Sequence, residues 1–237
     1  MWGDTMNNKR SVLVWVFLGM LIFQNFDLTQ PRFELYVQSV DEASRSGHAH
    51  ELLGRGFLGS DADQAKGAVN FNLSIYAQFK KRLPKQDKWQ AATLSNLVIE
   101  ESQKYHLDPV FIMAVIAQES SFRPLARGPV GEIGLMQLRP ETAAWVARKH
   151  RMVFNGAKTL EHPFVNLKLG IAYVSDLRES FKGRANHYVS AYNMGARNVR
   201  RLVATRQTPK EYSGRVMKRY RDLYATMYKK SVVIAKK

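Results

Sequence analysis

The stretch Phe111-Ile-Met-Ala-Val-Ile-Ala-Gln-Glu-Ser-Ser-Phe122 sets the fold class. Seven apolar residues follow one another from Phe111 to Ala117, so a helix through them has no polar face and is buried on nearly all sides. Its start is marked by Asp108, a good N-cap, followed by Pro109 at the first helical position. Its end carries a carboxylate, Glu119. The helix dipole disfavours negative charge at a carboxyl end. Partial burial disfavours it too, so both effects push the Glu119 pKa up. A carboxylic acid that keeps its proton near neutral pH is what general-acid catalysis needs. A surface Glu at a fraying helix end has the same local sequence, and this segment alone does not separate the two.

Outward from this helix, one short helix follows another. Thr93 is placed to cap a helix running to about Tyr105. Arg139-Pro140-Glu141 opens another through about Lys149, and His162-Pro163 opens a third, from Phe164 to about Phe181. Ala185 to Met194 follows, with Gly195 as its C-cap. Thr208-Pro209 opens a last helix reaching about Tyr228. No stretch alternates long enough to be a strand. These signals predict a mostly α fold, a multi-helix domain over residues 91–230 with a basic tail at 231–237. Residues 29–90 read as a linker or helical appendage. Within them Phe33 to Ala43 is a short helix ending near Gly47, and a glycine-rich stretch follows. Val69 to Leu83 is then helical, with Phe71, Ile75, Phe79 and Leu83 on one stripe, and Pro84 stops it. A stalk and a packing appendage both fit this region.

Two further segments hold polar groups on constrained backbone. Gly128-Pro-Val-Gly-Glu-Ile-Gly-Leu-Met-Gln-Leu138 has three glycines and a proline within seven residues, a loop that lets a ligand approach the backbone closely. Near its end stands Gln137, whose amide is able to donate to and accept from a sugar. Ser190-Ala-Tyr-Asn-Met-Gly195 places a phenol, Tyr192, and an amide, Asn193, at a helix end. Each segment alone is an ordinary turn or cap.

Together the three segments resemble the soluble-lytic-transglycosylase domain of glycoside hydrolase family 23, which is related to goose-type lysozyme. The family pattern is Glu-Ser-x-[Phe/Trp], then Gly-Leu-Met-Gln, then Ala-Tyr-Asn. Here the chain reads Glu119-Ser120-Ser121-Phe122, Gly134-Leu135-Met136-Gln137 and Ala191-Tyr192-Asn193, in that order. Pro140 and Asn166-Leu-Lys-Leu-Gly170-Ile-Ala-Tyr173 agree as well, and the resemblance covers roughly residues 93–228. It implies a lysozyme-like catalytic domain that cleaves peptidoglycan between N-acetylmuramic acid and N-acetylglucosamine. Glu119 is then the single acid/base, and the product carries a 1,6-anhydro ring. Ser120 holds the site together, and Met136, Gln137, Tyr192 and Asn193 line the subsites.

The chain departs from the family near its end. Where the family commonly shows Pro-x-Glu-Thr-x-x-Tyr-Val, Pro209-Lys-Glu211-Tyr212-Ser-Gly-Arg215-Val216 stands here. Tyr212 or Tyr220 then supplies the aromatic wall, or Arg215 replaces it with a charge-assisted contact to substrate carboxylates. Most glycosidases flank the scissile bond with two carboxylates, and none of the family motifs supplies a second. Glu132, inside the loop, is read as a solvated loop residue. A carboxylate there also leaves a lysozyme-like hydrolysis open.

The chain of 237 residues has 36 Lys+Arg against 20 Asp+Glu, a net charge of +16. Residues 1–142 are neutral, with 15 of each sign, so the whole excess falls in residues 143–237. Such a basic half calls for an anionic partner. Arg197, Arg200, Arg201 and Arg206 raise nucleic acid as one. No groove-reading motif accompanies them, and the amino terminus argues for export, so no nucleic acid is expected. Lys9 and Arg10 precede the apolar run Val12 to Phe23, which reads as an uncleaved signal anchor over residues 1–28. The alternative is a buried core helix. The anchor implies a bacterial cell envelope setting, tethered to the inner membrane with the body in the periplasm, or secreted if the signal is cleaved. The absence of cysteine removes disulfides, thiolate metal sites and cysteine nucleophiles. No cofactor and no metal are expected. The expected partners are peptidoglycan strands, the inner membrane and cell-envelope machinery, and a non-catalytic wall-binding scaffold is the competing function.

Overall fold

The computed structural model describes residues 39–235. Helix α1 is Glu42–Leu53, α2 Asp61–Gln64, α3 Phe71–Arg82, α4 Ala91–Lys104 and α5 Pro109–Glu119. After the long loop come α6 Pro140–His150, α7 Pro163–Ser180, α8 Ala185–Met194, α9 Ala196–Ala204 and α10 Glu211–Ala235. No strand occurs among the described residues; Ile133 forms isolated bridges with Arg127 and Leu138. The fold is mostly α, as the patterning predicts.

Helix α5 is the central element. Asp108 caps it, accepting from the Val110 N–H at 2.8 Å, and Pro109 occupies its first turn. Every residue from Pro109 to Ala117 is buried. Removing its seven consecutive apolar side chains from water is worth on the order of 10–20 kcal/mol before entropy is counted. Helix α10 supplies the largest cover. Its first turn meets Glu119 through Tyr212, while Tyr220 and Tyr224 meet Asp108. The two helices therefore run in opposite directions.

Residues 39–90 are built into the same core. Ile75 and Phe79 have no exposed surface, and α3 packs along α4. The stripe read from sequence is thus a packing face, and a free stalk is excluded for these residues. Helix α1 is held by a buried polar network. Arg45 donates to the Ala62 carbonyl at 3.0 Å and to the Tyr224 hydroxyl at 2.7 Å, and pairs with Glu42. Tyr224 in turn donates to Asp108 at 2.7 Å. The Asp108 N–H donates to His48 Nδ1 at 2.9 Å, so that nitrogen carries no proton and His48 is neutral. Burial accordingly holds the His48 pKa well below its ordinary value.

Several boundaries differ from the patterning. Of the helix expected over Phe33 to Ala43, residues 33–38 lie outside the described residues; residues 39–41 are not helical, and α1 starts at Glu42, where the Asp41 carboxylate caps it by accepting from the Ala43 and Ser44 N–H groups. It passes through Gly47 rather than ending there, its buried face of Arg45, His48, Ala49 and Leu52 outweighing the glycine cost. Thr93 lies inside α4 and does not cap it, since a 3-10 turn at Lys85–Gln90 leads straight in. The last helix starts at Glu211, past Pro209, and runs on to Ala235. Helix α9 has no counterpart in the sequence reading. The expected anchor, Val12 to Phe23, lies outside the described residues. Among the described residues no helix is long and apolar enough to cross a membrane.

Candidate active site

A cleft of about 410 Å³ opens between the end of α5, the loop between α5 and α6, and the end of α8. Glu119, Glu132, Gln137, Tyr173, Tyr192 and Asn193 line it. The chain leaves α5 abruptly. Ser120 is buried, its hydroxyl returned to the Ile116 carbonyl at 3.2 Å. Ser121 and Phe122 then take left-handed φ values of 52° and 65°, a conformation that costs a non-glycine residue roughly 1 kcal/mol or more. Burial of Phe122, edge-on to Phe79 at 5.4 Å, offsets that cost. The turn leaves Glu119 as the last helical residue, half-buried and facing the cleft.

Burial is the main cause that pushes the Glu119 carboxyl up, to about 7. Glu132, a like charge, pushes the same way. The Tyr212 hydroxyl donates to Glu119 Oε1 and favours the ionised form, and Arg215 acts in that direction at longer range. A carboxyl at that pKa gives or takes a proton near neutral pH, and burial, one of the two effects expected at this position, is the main cause of the rise.

The loop is locked by two amides. Asn166 on α7 has no exposed surface; its Nδ2 donates to the Ile133 and Leu160 carbonyls, and its Oδ1 accepts from the Met136 N–H at 2.8 Å. Gln137 Nε2 donates to the Ala126 carbonyl at 3.0 Å and to the Gly134 carbonyl at 2.9 Å. Its donors are therefore spent on the loop, and only Oε1 is left to accept from a ligand. Gly134 is required by this packing, and a side chain at Gly128 would displace Glu132. A Cβ on Gly128 would lie 2.3 Å from Glu132 Oε2, and one on Gly134, at φ 85°, would lie 2.3 Å from Asn166 Nδ2.

The structure divides the expected site residues. Glu119, Gln137, Tyr192 and Asn193 meet in the cleft. Tyr192 contributes its ring, tilted against Tyr173 at 5.4 Å between centres, because its hydroxyl is committed to the Met136 carbonyl at 2.8 Å. Ser120 and Met136 do not reach the cleft wall: both side chains are buried, and they shape the turn and the loop from behind. Tyr212 touches Glu119 directly, whereas Tyr220 is turned to Asp108 at the far end of α5 and is no part of the wall. Arg215 is exposed, paired with Glu211 at 2.5 Å, and its guanidinium lies 6.0 Å from the Tyr212 ring centre. Glu132 is not a solvated loop residue. It is half-buried in the cleft, with Oε2 accepting from the Val130 N–H at 3.0 Å. Asn166 and Tyr173 carry roles that the motif alone did not assign. Their spacing with Gly170, at i, i+4 and i+7, puts all three on one face of α7 and is the signal that finds them. Among the described residues no group of three or more His, Asp or Glu is placed to hold a metal ion.

Comparison with known proteins bears on this arrangement. The family model of the transglycosylase SLT domain matches residues 96–213. The soluble lytic murein transglycosylase of Salmonella typhimurium is 27% identical over 173 residues, which are 70% of this chain and 26% of that protein. The membrane-bound lytic murein transglycosylase C of Histophilus somni is 35% identical over 121 residues, 45% of this chain and 32% of that protein. The chain spans a third or less of the length of these curated relatives. Among solved structures, an inactive mutant of the lytic transglycosylase Slt of Pseudomonas aeruginosa shares the fold, with a TM-score of 0.52 at 24% identity over 76% of this chain and 34% of that one. Residues 96–213 of this chain are a member of the transglycosylase SLT domain family.

Proposed function

We propose that this protein is a peptidoglycan lytic transglycosylase in which Glu119 is the single general acid/base. The carboxylic acid gives its proton to the glycosidic oxygen between N-acetylmuramic acid and N-acetylglucosamine as the C1–O bond breaks. The carboxylate then takes the proton of the muramic acid C6 hydroxyl while O6 bonds to C1, closing a 1,6-anhydro ring without water. An internal nucleophile removes the need for the second carboxylate that most glycosidases use. The observation that carries this reading is the Glu119 carboxyl, raised to about 7 at the wall of a cleft of about 410 Å³. A group with that pKa serves as acid and as base in turn. In this reading Gln137 Oε1 accepts from a sugar hydroxyl or amide, the Tyr173 and Tyr192 rings stack against a sugar face, and Asn193 bonds an acetamido group. Tyr212 tunes Glu119, and Ser120, Met136 and Arg215 act on the site indirectly.

The segment Val12 to Phe23, with Lys9 and Arg10 before it, serves as an uncleaved anchor that leaves the domain in the periplasm. A relative whose name describes it as membrane-bound is in keeping with this. One observation favours a second reading: Glu132 lines the same cleft as Glu119. Acting as base on a water, it would make the protein a hydrolase that leaves a reducing-end muramic acid.

The proposal is tested with Glu119→Gln. The variant is expected to lose release of soluble muropeptides from purified sacculi, by a factor of about 100 or more, while keeping its thermal midpoint and its binding to sacculi. Release at the wild-type rate would remove Glu119 from the chemistry.

A further inference from the structure

Helices α8 and α9 form a hairpin whose tip, at Met194 and Gly195, lies in the cleft. Its open end holds a second concavity, about 350 Å³, that none of the site residues touches. Lys182, Arg184, His187 and Arg200 line it together with Ser180 and Phe181. No acidic residue lines it, and none of its three cations has an ion pair among the described salt bridges. Unpaired like charges converging on a hollow repel one another, an arrangement that an anionic ligand relieves. Arg200 is held in place for this: Nη2 donates to Ser180 Oγ at 2.5 Å, and the guanidinium sits 5.4 Å from the centre of the Phe181 ring. A fixed guanidinium is suited to a planar carboxylate, which it binds with paired donors.

The hollow is also connected to the cleft. Helix α9 has nine residues and so spans about 13 Å from the cleft to the hollow. Arg197, Arg200 and Ala204 stand at i, i+3 and i+7 and are exposed, forming one stripe that leads from the first site to the second. A peptide of four residues, extended, covers about 13–14 Å. Peptidoglycan stem peptides hang from the lactyl group of muramic acid and carry free carboxylates. We propose that the hollow at Lys182, Arg184 and Arg200 is an exosite for the stem-peptide carboxylates of a glycan strand held in the cleft. This rests on peptidoglycan being the substrate. The basic half of the chain then has a defined role, with the sugar cut at one end of the hairpin and the peptide held at the other.

The proposal is tested by co-sedimentation of the full-length protein with glycan strands bearing stem peptides and with strands stripped of them by an amidase. Binding does not require cleavage, so this readout stands apart from the catalytic reading. Wild type is expected to bind the peptide-bearing strands about tenfold more tightly, the sum of two or three part-exposed charge pairs. Arg184→Gln/Arg200→Gln is expected to bring that affinity down to the stripped-strand value and to leave stripped-strand binding unchanged. All of these side chains are on the surface, and Lys182→Gln alone, with a smaller loss of the same kind, guards against a folding defect in the double variant. In turnover the loss appears in KM and leaves kcat unchanged, because a contact remote from the scissile bond is made equally in ground and transition states. Equal losses on both strands, or none on either, would overturn the proposal. So would a double variant that binds strands normally but no longer binds phosphatidylglycerol vesicles, which would assign the hollow to lipid phosphate.

Discussion

Tyr212→Phe removes one oxygen from the site and leaves the ring that packs beside Tyr192. The missing hydroxyl is the donor to Glu119 Oε1. A hydrogen bond to a charged group contributes about 1.5–3 kcal/mol, and 1.36 kcal/mol corresponds to one pKa unit. The cleft is open, and water replaces part of the lost bond, so the lower end of that range applies. The Glu119 pKa is then expected to rise by about one unit from its value of about 7. The direction follows from chemistry: the hydroxyl stabilises the carboxylate, and removing it favours the protonated acid. In the free enzyme Glu119 must be protonated to act first as an acid, so kcat/KM falls as pH rises through that pKa. The assay is initial muropeptide release from sacculi at sub-saturating substrate, from pH 5 to 10. Tyr212→Phe is expected to match wild type below pH 6 to within a few-fold and to carry its descending limb about one pH unit higher. A limb that stays in place, or moves to lower pH, would refute the view that Tyr212 tunes Glu119.

Glu132→Gln makes the opposite change. It removes a like charge that raises the Glu119 pKa, so the descending limb moves to lower pH, and the double variant with Tyr212→Phe falls between the two. Stability responds to pH through His48. Its folded pKa lies well below the unfolded value of 6.5, so it is neutral in both states above 6.5 and pH has no leverage there. Below 6.5 the unfolded chain takes up a proton that the folded chain refuses, and this group alone costs up to about 1.4 kcal/mol per pH unit until the folded pKa is reached. His48→Asn keeps an acceptor for the Asp108 N–H and loses the titration. Urea midpoints measured from pH 7.5 to 5 are expected to fall less steeply for this variant than for wild type, and parallel curves would contradict a buried neutral His48.

How much of the fold and site is legible in the sequence follows from the range of the interactions. Helix α5 and its cap at Asp108 are local consequences of neighbouring residues and appear as read, whereas the raised acid at Glu119 depends on burial and on Glu132, Tyr212 and Arg215, which only folding brings near it. The stripe of α3 is local too, and it becomes core. The polar network is not local: Asp108 meets Tyr220 and Tyr224 from 112 and 116 residues away. No periodicity signals such a pairing. The choice among Tyr212, Tyr220 and Arg215 depends on where α10 crosses α5, which only packing decides. Met136 and Ser120 sit inside motifs whose neighbours reach the cleft, but the Ser120 hydroxyl turns back to the Ile116 carbonyl and Asn166 holds the Met136 N–H, so both side chains are buried. Glu132 departs from its sequence reading because a loop carboxylate is usually solvated, whereas here the Val130 N–H and the backbone at Gly128 hold it against the cleft.

The most direct test of the account is the mass of the chain ends released by wild-type protein from purified sacculi at neutral pH. Closure of the C6 hydroxyl onto C1 gives muramic acid ends lighter by one water than hydrolysis does. Anhydro ends are expected to dominate from the first turnovers, and to disappear with Glu119→Gln. Reducing-end muramic acid as the main product would contradict a single acid/base acting with an internal nucleophile, and would place Glu132 and a water in the reaction.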